Sequence, residues 1–433
     1  MFFRVLTIGL SLLFWLKASF AANLLSSEEV IRGATDRIQK YRTTEVTLAL
    51  VDNNGDPIPE GTPVEIEQVE HEFLFGCNLY PLGQFGDRWK NESYAHHWAD
   101  LFNYATLPFY WWADNPERNR ERIAWCQRYG IEMKGHPLAW NYRDPDWLPD
   151  HPSEAMDLQM KRIDEVLSEF GDDIPYWDVV NEPTKFDRED LPEGRRILTR
   201  AIHEMGRTNY LRRAFETARK AKPDGYFLVN DFVYEASYAE EVVAQLVDDS
   251  SKPLYDGIGI QAHQHTGAWE PRKIWLICEQ YAHFPKPIHF TETTFVSGDR
   301  GWDLEKNIPG FDWVTTPEGE ARQTDEVEQF YTIAFSHPEV GSISWWDLTD
   351  QSAWMGAPGG LLREDMTPKP AYFRLRHLIK EKWWTHLKTK TGEGGILKFR
   401  CFYGTHQIKV GEGQKARVAT IKVSHLGTKC LEE

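Results

Sequence analysis

Eight short apolar segments recur between residues 73 and 350, and stretches with helical spacing of apolar residues lie between them. In one such stretch, Met156, Met160, Ile163, Leu167 and Phe170 fall on a single helical face. Strands that alternate with helices over about 300 residues predict an α/β fold of the (β/α)8 TIM-barrel class. The predicted strands are FLFGCNLY (73–80), LFNYATLPF (101–109), MKGHPLAW (133–140), PYWDVVNEP (175–183), YFLVNDF (226–232), GIGIQAHQ (257–264), PIHFTETTF (287–295) and GSISWWDLTD (341–350).

Polar and chemically reactive side chains are concentrated at the carboxyl end of these predicted strands. In a barrel of this class the carboxyl ends of all strands meet at one face, and that face carries the active site. Polar groups buried in strands are costly unless they are paired. Their clustering therefore predicts a functional site built from His136, Asn181, Glu182, Asn230, Asp231, Gln261, His263, Glu292, Asp347 and Asp350.

Two glutamates dominate this set. Glu182 ends the fourth strand in WDVVNEP, and Glu292 ends the seventh strand in HFTETTF. Either residue alone is more simply explained as a salt-bridged carboxylate at a strand end. Two carboxyl groups across one barrel mouth suit glycosidic cleavage, and a separation of roughly 5–5.5 Å gives retention of anomeric configuration. Mutual repulsion and partial burial would raise the pKa of the carboxyl that must begin the reaction protonated.

Seven motifs in order along the barrel resemble glycoside hydrolase family 10, the family typified by endo-β-1,4-xylanases. The resemblance covers about residues 70–375. The motifs are GHPLAW (135–140), WDVVNEP (177–183), LVNDF (228–232), GIGIQAH (257–263), FTE (290–292), WDLTDQSAW (346–354) and LLREDMTPKPAY (361–372).

The resemblance implies a role for each residue that matches a family motif. Glu182 is the expected acid/base and Glu292 the expected nucleophile. Asn181 is expected to bind the sugar hydroxyl next to the anomeric carbon, His263 to hold the nucleophile, and Gln261 to orient the acid/base region. The subsite before the cleaved bond is expected to be lined by His136 and Trp140 and capped by Trp346 and Trp354.

The sequence departs from the family pattern at three places. Where the family carries polar sugar contacts after the second strand, this chain has Pro108, Phe109 and Trp112. We therefore expect a donor side that is less polar and more aromatic. Thr294 stands where the family commonly has an aspartate that steadies the histidine, and Asn141 stands where it often has histidine. Catalysis is expected to survive, with altered specificity and pH optimum.

Composition limits the partners of the chain. Its 433 residues carry a net charge of −17, which disfavours binding of nucleic acid or of an anionic lipid surface. The charge is compatible with a neutral substrate such as a glycan, and the 18 tryptophans offer flat apolar faces to sugar rings. The resemblance to the family implies xylan or a related hemicellulose as that polysaccharide. The five cysteines are scattered and no HExxH motif occurs, so we expect no metal and no cofactor. A monomer is expected.

The two ends of the chain differ from the barrel. Residues 1–22 have a basic start, a short apolar run and small residues at the end, which predicts a cleaved signal peptide, a secreted or periplasmic protein, and no membrane association after cleavage. Residues 23–70 are predicted to contain a β-hairpin over 44–69, residues 71–383 to form the barrel, and residues 384–433 to be rich in β-strands. The hairpin and the tail are expected to form one small antiparallel β-unit.

Alternatives remain open at this point. The altered 107–119 stretch is compatible with a β-xylosidase-like or glucan-active enzyme, and a non-catalytic glycan-binding barrel would be expected to lack the glutamates. Metal-dependent hydrolysis would need ligands brought together only by folding. The aromatic residues Trp383, Trp384, Phe402 and Tyr403 could form a carbohydrate platform, or they could attach the C-terminal sheet to the barrel, which we favour.

Overall fold

The computed structural model describes residues 25–188, 195–299, 313–413 and 416–431. Its main sheet is a closed ring of parallel strands, because the last barrel strand pairs with both its predecessor and the first. This confirms the predicted (β/α)8 barrel. The proposed signal peptide, residues 1–22, lies outside the described residues. In chain order the barrel strands are β3 (Leu74–Asn78), β4 (Tyr104–Pro108), β5 (Glu132–His136), β6 (Tyr176–Asn181), β7 (Tyr226–Asp231), β8 (Gly257–Ile260), β10 (Ile288–Phe295) and β11 (Val340–Trp345). The two-residue strand β9 (His263–Gln264) pairs with the end of β10.

Helices surround the ring, and several have clear start and stop signals. One begins at Pro116 after the cap residue Asn115 and ends at Gly130, which has φ of 64°. Another begins at Pro317, where the Thr316 side chain accepts a hydrogen bond from the backbone of Gly319. The helices are α1 (Ser27–Arg32), α2 (Ala34–Tyr41), α3 (Arg88–Leu101), α4 (Pro116–Tyr129), α5 (Pro152–Phe170), α6 (Ile197–Met205), α7 (Arg207–Ala221), α8 (Ala236–Glu241), α9 (Pro271–Tyr281), α10 (Pro317–Ser336) and α11 (Pro370–His377).

The two ends of the chain form antiparallel sheets beside the barrel, as predicted. The expected hairpin over 44–69 is wrong, however, because β1 (Thr43–Ala49) and β2 (Pro63–His71) do not pair with each other. β1 pairs with β13 (Ile396–Phe402), whereas β2 lies between β12 (His386–Lys390) and β14 (Gly404–Val410) in a five-stranded sheet. The partners are far away in sequence, so local turn signals could not reveal them. The C-terminal strands are β12 (His386–Lys390), β13 (Ile396–Phe402), β14 (Gly404–Val410), β15 (Arg417–Ser424) and β16 (Gly427–Leu431).

An aromatic cluster joins these sheets to the amino end of the barrel. Trp383 is buried and packs against Phe335 at 4.5 Å and against Phe75 at 6.0 Å between ring centroids. Phe402 is buried beside the same Phe335. The buried His71 donates a hydrogen bond from Nε2 to the Trp383 carbonyl, while its Nδ1 accepts from the backbone N–H of Phe73. Trp383 and Phe402 therefore attach the sheets to the barrel rather than forming an exposed carbohydrate platform.

All five cysteines lie in the described residues, and none of them forms a disulfide. Cys430 is exposed and the other four are buried. Across the ranges that the structure describes, no helix combines the length and the apolarity needed to cross a membrane.

Candidate active site

Glu182 sits at a strained backbone position directly after β6. Its φ is 55°, in the left-handed region that a non-glycine residue seldom adopts. Its backbone N–H donates to the Asn230 carbonyl at 2.7 Å, which ties the end of β6 to the end of β7. Backbone strain of this kind persists only where surrounding contacts enforce it, and it concentrates at active sites.

Four donors surround the Glu182 carboxylate. Oε2 accepts hydrogen bonds from the Trp140 indole at 3.1 Å and from the Arg188 guanidinium at 2.6 Å. Oε1 accepts longer bonds from Gln261 at 3.3 Å and from Asn181 at 3.5 Å. The Arg188 side chain is only 4 % exposed, so this ion pair is largely shielded from water. Oε2 is therefore firmly held, while Oε1 is held more loosely.

Glu292 lies deeper and is hydrogen-bonded by an amide and a histidine. Its Oε1 accepts from the Asn230 amide at 2.8 Å, and its Oε2 lies 3.1 Å from His263 Nε2. Burial raises the pKa of Glu292, but the hydrogen bond from His263 and the nearby positive charges of His136, His263 and Lys134 outweigh it, so the pKa is lowered. Glu292 is consequently an ionised carboxylate at neutral pH.

A short amide network connects the two glutamates. Asn230 Nδ2 donates both to Glu292 and to Asn181 Oδ1, the latter at 2.9 Å. The side-chain oxygen of Asn230, Oδ1, accepts from the Thr291 hydroxyl at 2.6 Å, which fixes the orientation of the amide. Because Asn181 Oδ1 is used in this way, its Nδ2 is left pointing toward Glu182 as a donor.

A buried chain of charges lies beneath the site. His136 Nδ1 is 2.7 Å from Asp178 Oδ2, and Lys134 Nζ is 2.7 Å from the same oxygen. Burial raises the pKa of Asp178, but the charge of Lys134 and the hydrogen bond from His136 outweigh it, so the pKa is lowered. The Asp178 carboxylate fixes the His136 ring, whose Nε2 lies 4.0 Å from Glu292 Oε1.

Two further strand-end carboxylates hold loops rather than reaching the glutamates. Asp231 accepts the backbone N–H of Thr184 at 2.8 Å, two residues after Glu182. Asp347 accepts the backbone N–H of Trp354 at 2.8 Å and the Asn78 amide at 3.1 Å. Burial raises the pKa of Asp231 and of Asp347 to about 6.

The glutamates face a cleft of about 1010 Å³ with aromatic walls. On one side Trp140 stacks on Tyr142 at 4.7 Å, with Tyr110 at 5.9 Å. On the other side Trp346 and Trp354 pack against His263 at 5.8 and 4.6 Å. The cleft brings together both glutamates and seven further predicted residues, whereas Asn230, Asp231, Asp347 and Asp350 are not among the residues that line it. The nine that line it are His136, Trp140, Asn181, Glu182, Gln261, His263, Glu292, Trp346 and Trp354.

The expectation for the donor side needs correction. Phe109 is fully buried and packs against Phe170 and Trp177 in the core, so it does not face the cleft. Its backbone N–H continues the sheet by donating to the His136 carbonyl, and its side chain packs between the sheet and helix α5. Pro108 ends β4, and of the three residues only Trp112 contacts the aromatic wall, 5.6 Å from Trp140.

The other two departures from the family pattern have different outcomes. Thr294 Oγ1 lies 3.0 Å from His263 Nδ1, in contact with the histidine as expected. Asn141 is buried away from the cleft, where its amide donates to the Phe186 carbonyl at 2.7 Å and to Thr199 at 2.9 Å. Asn141 therefore supports the loop that carries Trp140.

The sequence did not indicate three residues that shape the site, Tyr110, Tyr142 and Arg188. Asn230 was predicted to belong to the site, but not that it bridges its two halves. Tyr110 and Tyr142 flank residues that were singled out, and the local richness in aromatics was their only signal. Arg188 lies in a loop without periodicity and gave no signal. Within the described ranges, no group of three or more histidine, cysteine or carboxylate side chains could hold a metal ion.

Comparisons with known proteins show the family and the fold. The family model described as "Glycosyl hydrolase family 10" matches residues 115–378. The anti-sigma-I factor RsgI6 of Acetivibrio thermocellus is 25 % identical over 392 residues, which cover 87 % of this chain and 46 % of that protein. The chain thus spans about half the length of this relative. Endo-1,4-beta-xylanase B of Thermotoga neapolitana is 26 % identical over 294 residues, covering 63 % of this chain and 78 % of the relative. Native xylanase 10B from Thermotoga maritima shares the fold, with a TM-score of 0.57, 20 % identity, and coverage of 72 % of this chain and 96 % of that one.

Proposed function

The chain belongs to glycosyl hydrolase family 10 and is a glycosidase, and from that premise we propose that it cleaves β-1,4 linkages in xylan or a related hemicellulose with retention of configuration. The observation that carries the proposal is the meeting of Glu182 and Glu292 in one aromatic cleft, connected through Asn181 and Asn230. Two carboxyl groups that serve one glycosidic bond are the machinery of this reaction.

Glu292 is the proposed nucleophile. Its lowered pKa keeps it ionised, and the hydrogen bonds from His263 and Asn230 direct its two oxygens. In the first step the carboxylate attacks the anomeric carbon, and the bond from that carbon to the leaving oxygen breaks. The product is a covalent glycosyl–enzyme ester with the opposite anomeric configuration.

Glu182 is the proposed acid/base. Because Arg188 and Trp140 occupy Oε2, Oε1 is the oxygen that can carry the transferable proton. This proton passes to the leaving oxygen in the first step. In the second step the Glu182 carboxylate takes a proton from water, the water oxygen attacks the anomeric carbon, and Glu292 is released.

The amide of Asn181 is the proposed partner of the sugar hydroxyl next to the anomeric carbon. Its oxygen is already used by Asn230 and Gln261, so its Nδ2 is the group available to the sugar. A hydrogen bond at this hydroxyl strengthens as positive charge develops on the ring. The aromatic walls support a neutral sugar chain as substrate, and xylan is named by relatives such as the Thermotoga neapolitana enzyme. The signal-like residues 1–22 support export of the enzyme to such a substrate.

The product profile on defined oligosaccharides tests the proposal. The full chain and its Glu292→Ala variant are incubated with xylan, xylohexaose and cellohexaose, and products are separated over time. We expect wild type to release mixed xylo-oligosaccharides and the variant to release none. Release of xylose alone would indicate a β-xylosidase instead of an endo-acting enzyme. Faster cleavage of cellohexaose than of xylohexaose would favour a glucanase. If both proteins were inert but still bound xylan, the chain would be a non-catalytic glycan-binding barrel.

A further inference from the structure

A second groove lies outside the catalytic cleft, between the turn after β4, the loop after β5, and helix α5. It encloses about 900 Å³, and none of its lining residues lines the catalytic cleft. We call it the Trp111–Trp147 groove. Its lining residues are Trp111, Asp114, Pro116, Trp147, Leu158, Lys161, Arg162, Asp164, Glu165, Val166, Ser168, Glu169 and Phe170.

Two tryptophans give this groove an aromatic floor that water can reach. Trp147 is 62 % exposed, and its ring stands 5.5 Å from that of Trp111 at 83°. Leaving a tryptophan ring in water forgoes a large hydrophobic gain. A flat apolar ring beside polar side chains is a surface on which the carbon-bound hydrogens of a sugar can pack.

The polar groups of the groove suit a neutral, hydroxyl-rich ligand. Its carboxylates, including Asp114 and Asp164, accept hydrogen bonds from hydroxyl groups. Arg162, which is only 4 % exposed, donates through Nη2 to the Phe109 carbonyl. Among the described residues its Nε and Nη1 have no hydrogen-bond partner, and its guanidinium lies 5.9 Å from the Trp111 ring centre. An unpartnered buried donor of this kind is expensive unless a ligand or water satisfies it.

The groove and the catalytic cleft share one short turn. Trp111 and Trp112 are neighbours in the turn Trp111–Ala113, and Trp112 packs on Trp140 at 5.6 Å, which in turn bonds Glu182. The turn thus carries Trp111, which lines the groove, next to Trp112, which packs on the cleft residue Trp140. A second binding surface beside the cleft raises the effective concentration of a long chain at the catalytic residues.

We infer that the Trp111–Trp147 groove is a second binding site for a neutral polysaccharide chain, separate from the catalytic cleft. The choice of xylan as the ligand rests on the proposed function. The groove holds a segment of polysaccharide while another segment occupies the cleft, so it matters for long or insoluble substrates more than for small glycosides.

The test compares Trp147→Ala with Trp89→Ala, a control at a tryptophan of similar exposure, 58 %, that lies at the start of α3. Both are placed in the Glu292→Ala full chain, and retention on insoluble xylan is measured by depletion. We expect Trp147→Ala to weaken retention about fivefold, Trp147→Phe to weaken it less, and Trp89→Ala to leave it unchanged. With Glu292 intact, the ratio of kcat/KM for xylan to that for an aryl β-xyloside should fall in Trp147→Ala.

Retention by Trp147→Ala equal to that of its parent, or an equal loss in Trp89→Ala, would overturn the inference. Failure of the proposed function is recognised separately, because wild type would then hydrolyse neither xylan nor the aryl xyloside. In that case depletion is repeated on cellulose and mannan. A selective loss in Trp147→Ala on either polymer would support the groove as a glycan site, and no selective loss on any polymer would refute it.

Discussion

At the carboxyl ends of the barrel strands the buried groups are mainly polar and hydrogen-bonded to one another, whereas at the amino ends they are mainly aromatic and packed. Glu182, Glu292 and Asn230 share a network at the first end. Trp383, Phe335 and Phe75 form the cluster at the second end. Networks of buried polar groups hold reactive atoms in position, while aromatic packing contributes stability. Substitutions at the two ends should therefore be separable, with activity lost at one and stability at the other.

Removal of the proposed acid/base, Glu182, should have a larger effect than the other substitutions predicted below. In Glu182→Ala, kcat/KM for an aryl β-xyloside with a poor leaving group should fall by about 10²–10⁴, because no group protonates the leaving oxygen. An aryl group that leaves without protonation should lose far less in the first step. Steady-state kinetics over a series of leaving groups measures this dependence.

The matched control is Glu132→Ala, at the amino end of β5, which should resemble wild type with every leaving group. An equal loss for good and poor leaving groups in Glu182→Ala would contradict the assigned role. The melting temperature of Glu132→Ala should stay near that of wild type, as expected at an exposed site. Glu182→Ala leaves the buried Arg188 without its carboxylate partner, so its kinetics are measured below its own unfolding transition.

Trp383→Ala tests the amino end of the barrel, where we expect a loss of stability without a loss of activity. Removing this buried indole leaves a cavity against Phe335 and Phe75 and should lower the free energy of unfolding by about 3–5 kcal/mol. Below the unfolding transition, kcat for an aryl xyloside should remain close to that of wild type. Denaturant melts and kinetics on the same sample measure both quantities.

The neighbouring Trp384, which is only partly buried, provides the control. Trp384→Ala should cost clearly less stability than Trp383→Ala. If the two variants were equally stable, or if Trp383→Ala lost kcat while folded, the division between a structural and a catalytic end would be wrong.

The smallest effect concerns pH. Burial raises the pKa of Glu292 while the hydrogen bond from His263 lowers it, and the net result is a lowered pKa. His263→Ala removes the lowering contribution, so the pKa of Glu292 should rise and the acidic limb of kcat/KM should move to higher pH. The stability that the ionised Glu292 contributes above its unfolded pKa is lost as pH falls through the folded value, and in the variant this loss should begin at higher pH.

The control is His386→Ala, at a half-exposed position in β12, which should leave the acidic limb of kcat/KM unchanged. If the acidic limb did not move in His263→Ala, the role of His263 in lowering the pKa of Glu292 would be contradicted.

The barrel could be predicted because its signal is local: each strand is a short apolar run, and its reactive residue follows directly. The polar residues at the strand ends could be expected at one face because the strand ends of a parallel barrel converge there, whereas Trp140, Trp346 and Trp354 were predicted only from the resemblance to the family. The partners of the N-terminal strands could not be predicted from the sequence, because Thr43 of β1 pairs with Phe402 in the C-terminal part of the chain. Phe109 was misplaced because sequence position does not show which way a side chain turns at a strand end. Arg188 was missed because a loop residue has no periodicity, although it holds Glu182 at 2.6 Å.

The central claim is that Glu292 becomes covalently attached to the sugar. A 2-deoxy-2-fluoro-β-xylobioside with an activated leaving group slows the second step more than the first, so the intermediate should accumulate. We predict a mass increase of one fluoroxylobiosyl group on the peptide that contains Glu292, absent in Glu292→Ala. An adduct on another residue would contradict the account. So would hydrolysis without any adduct in which NMR shows that the first product formed has the inverted anomeric configuration.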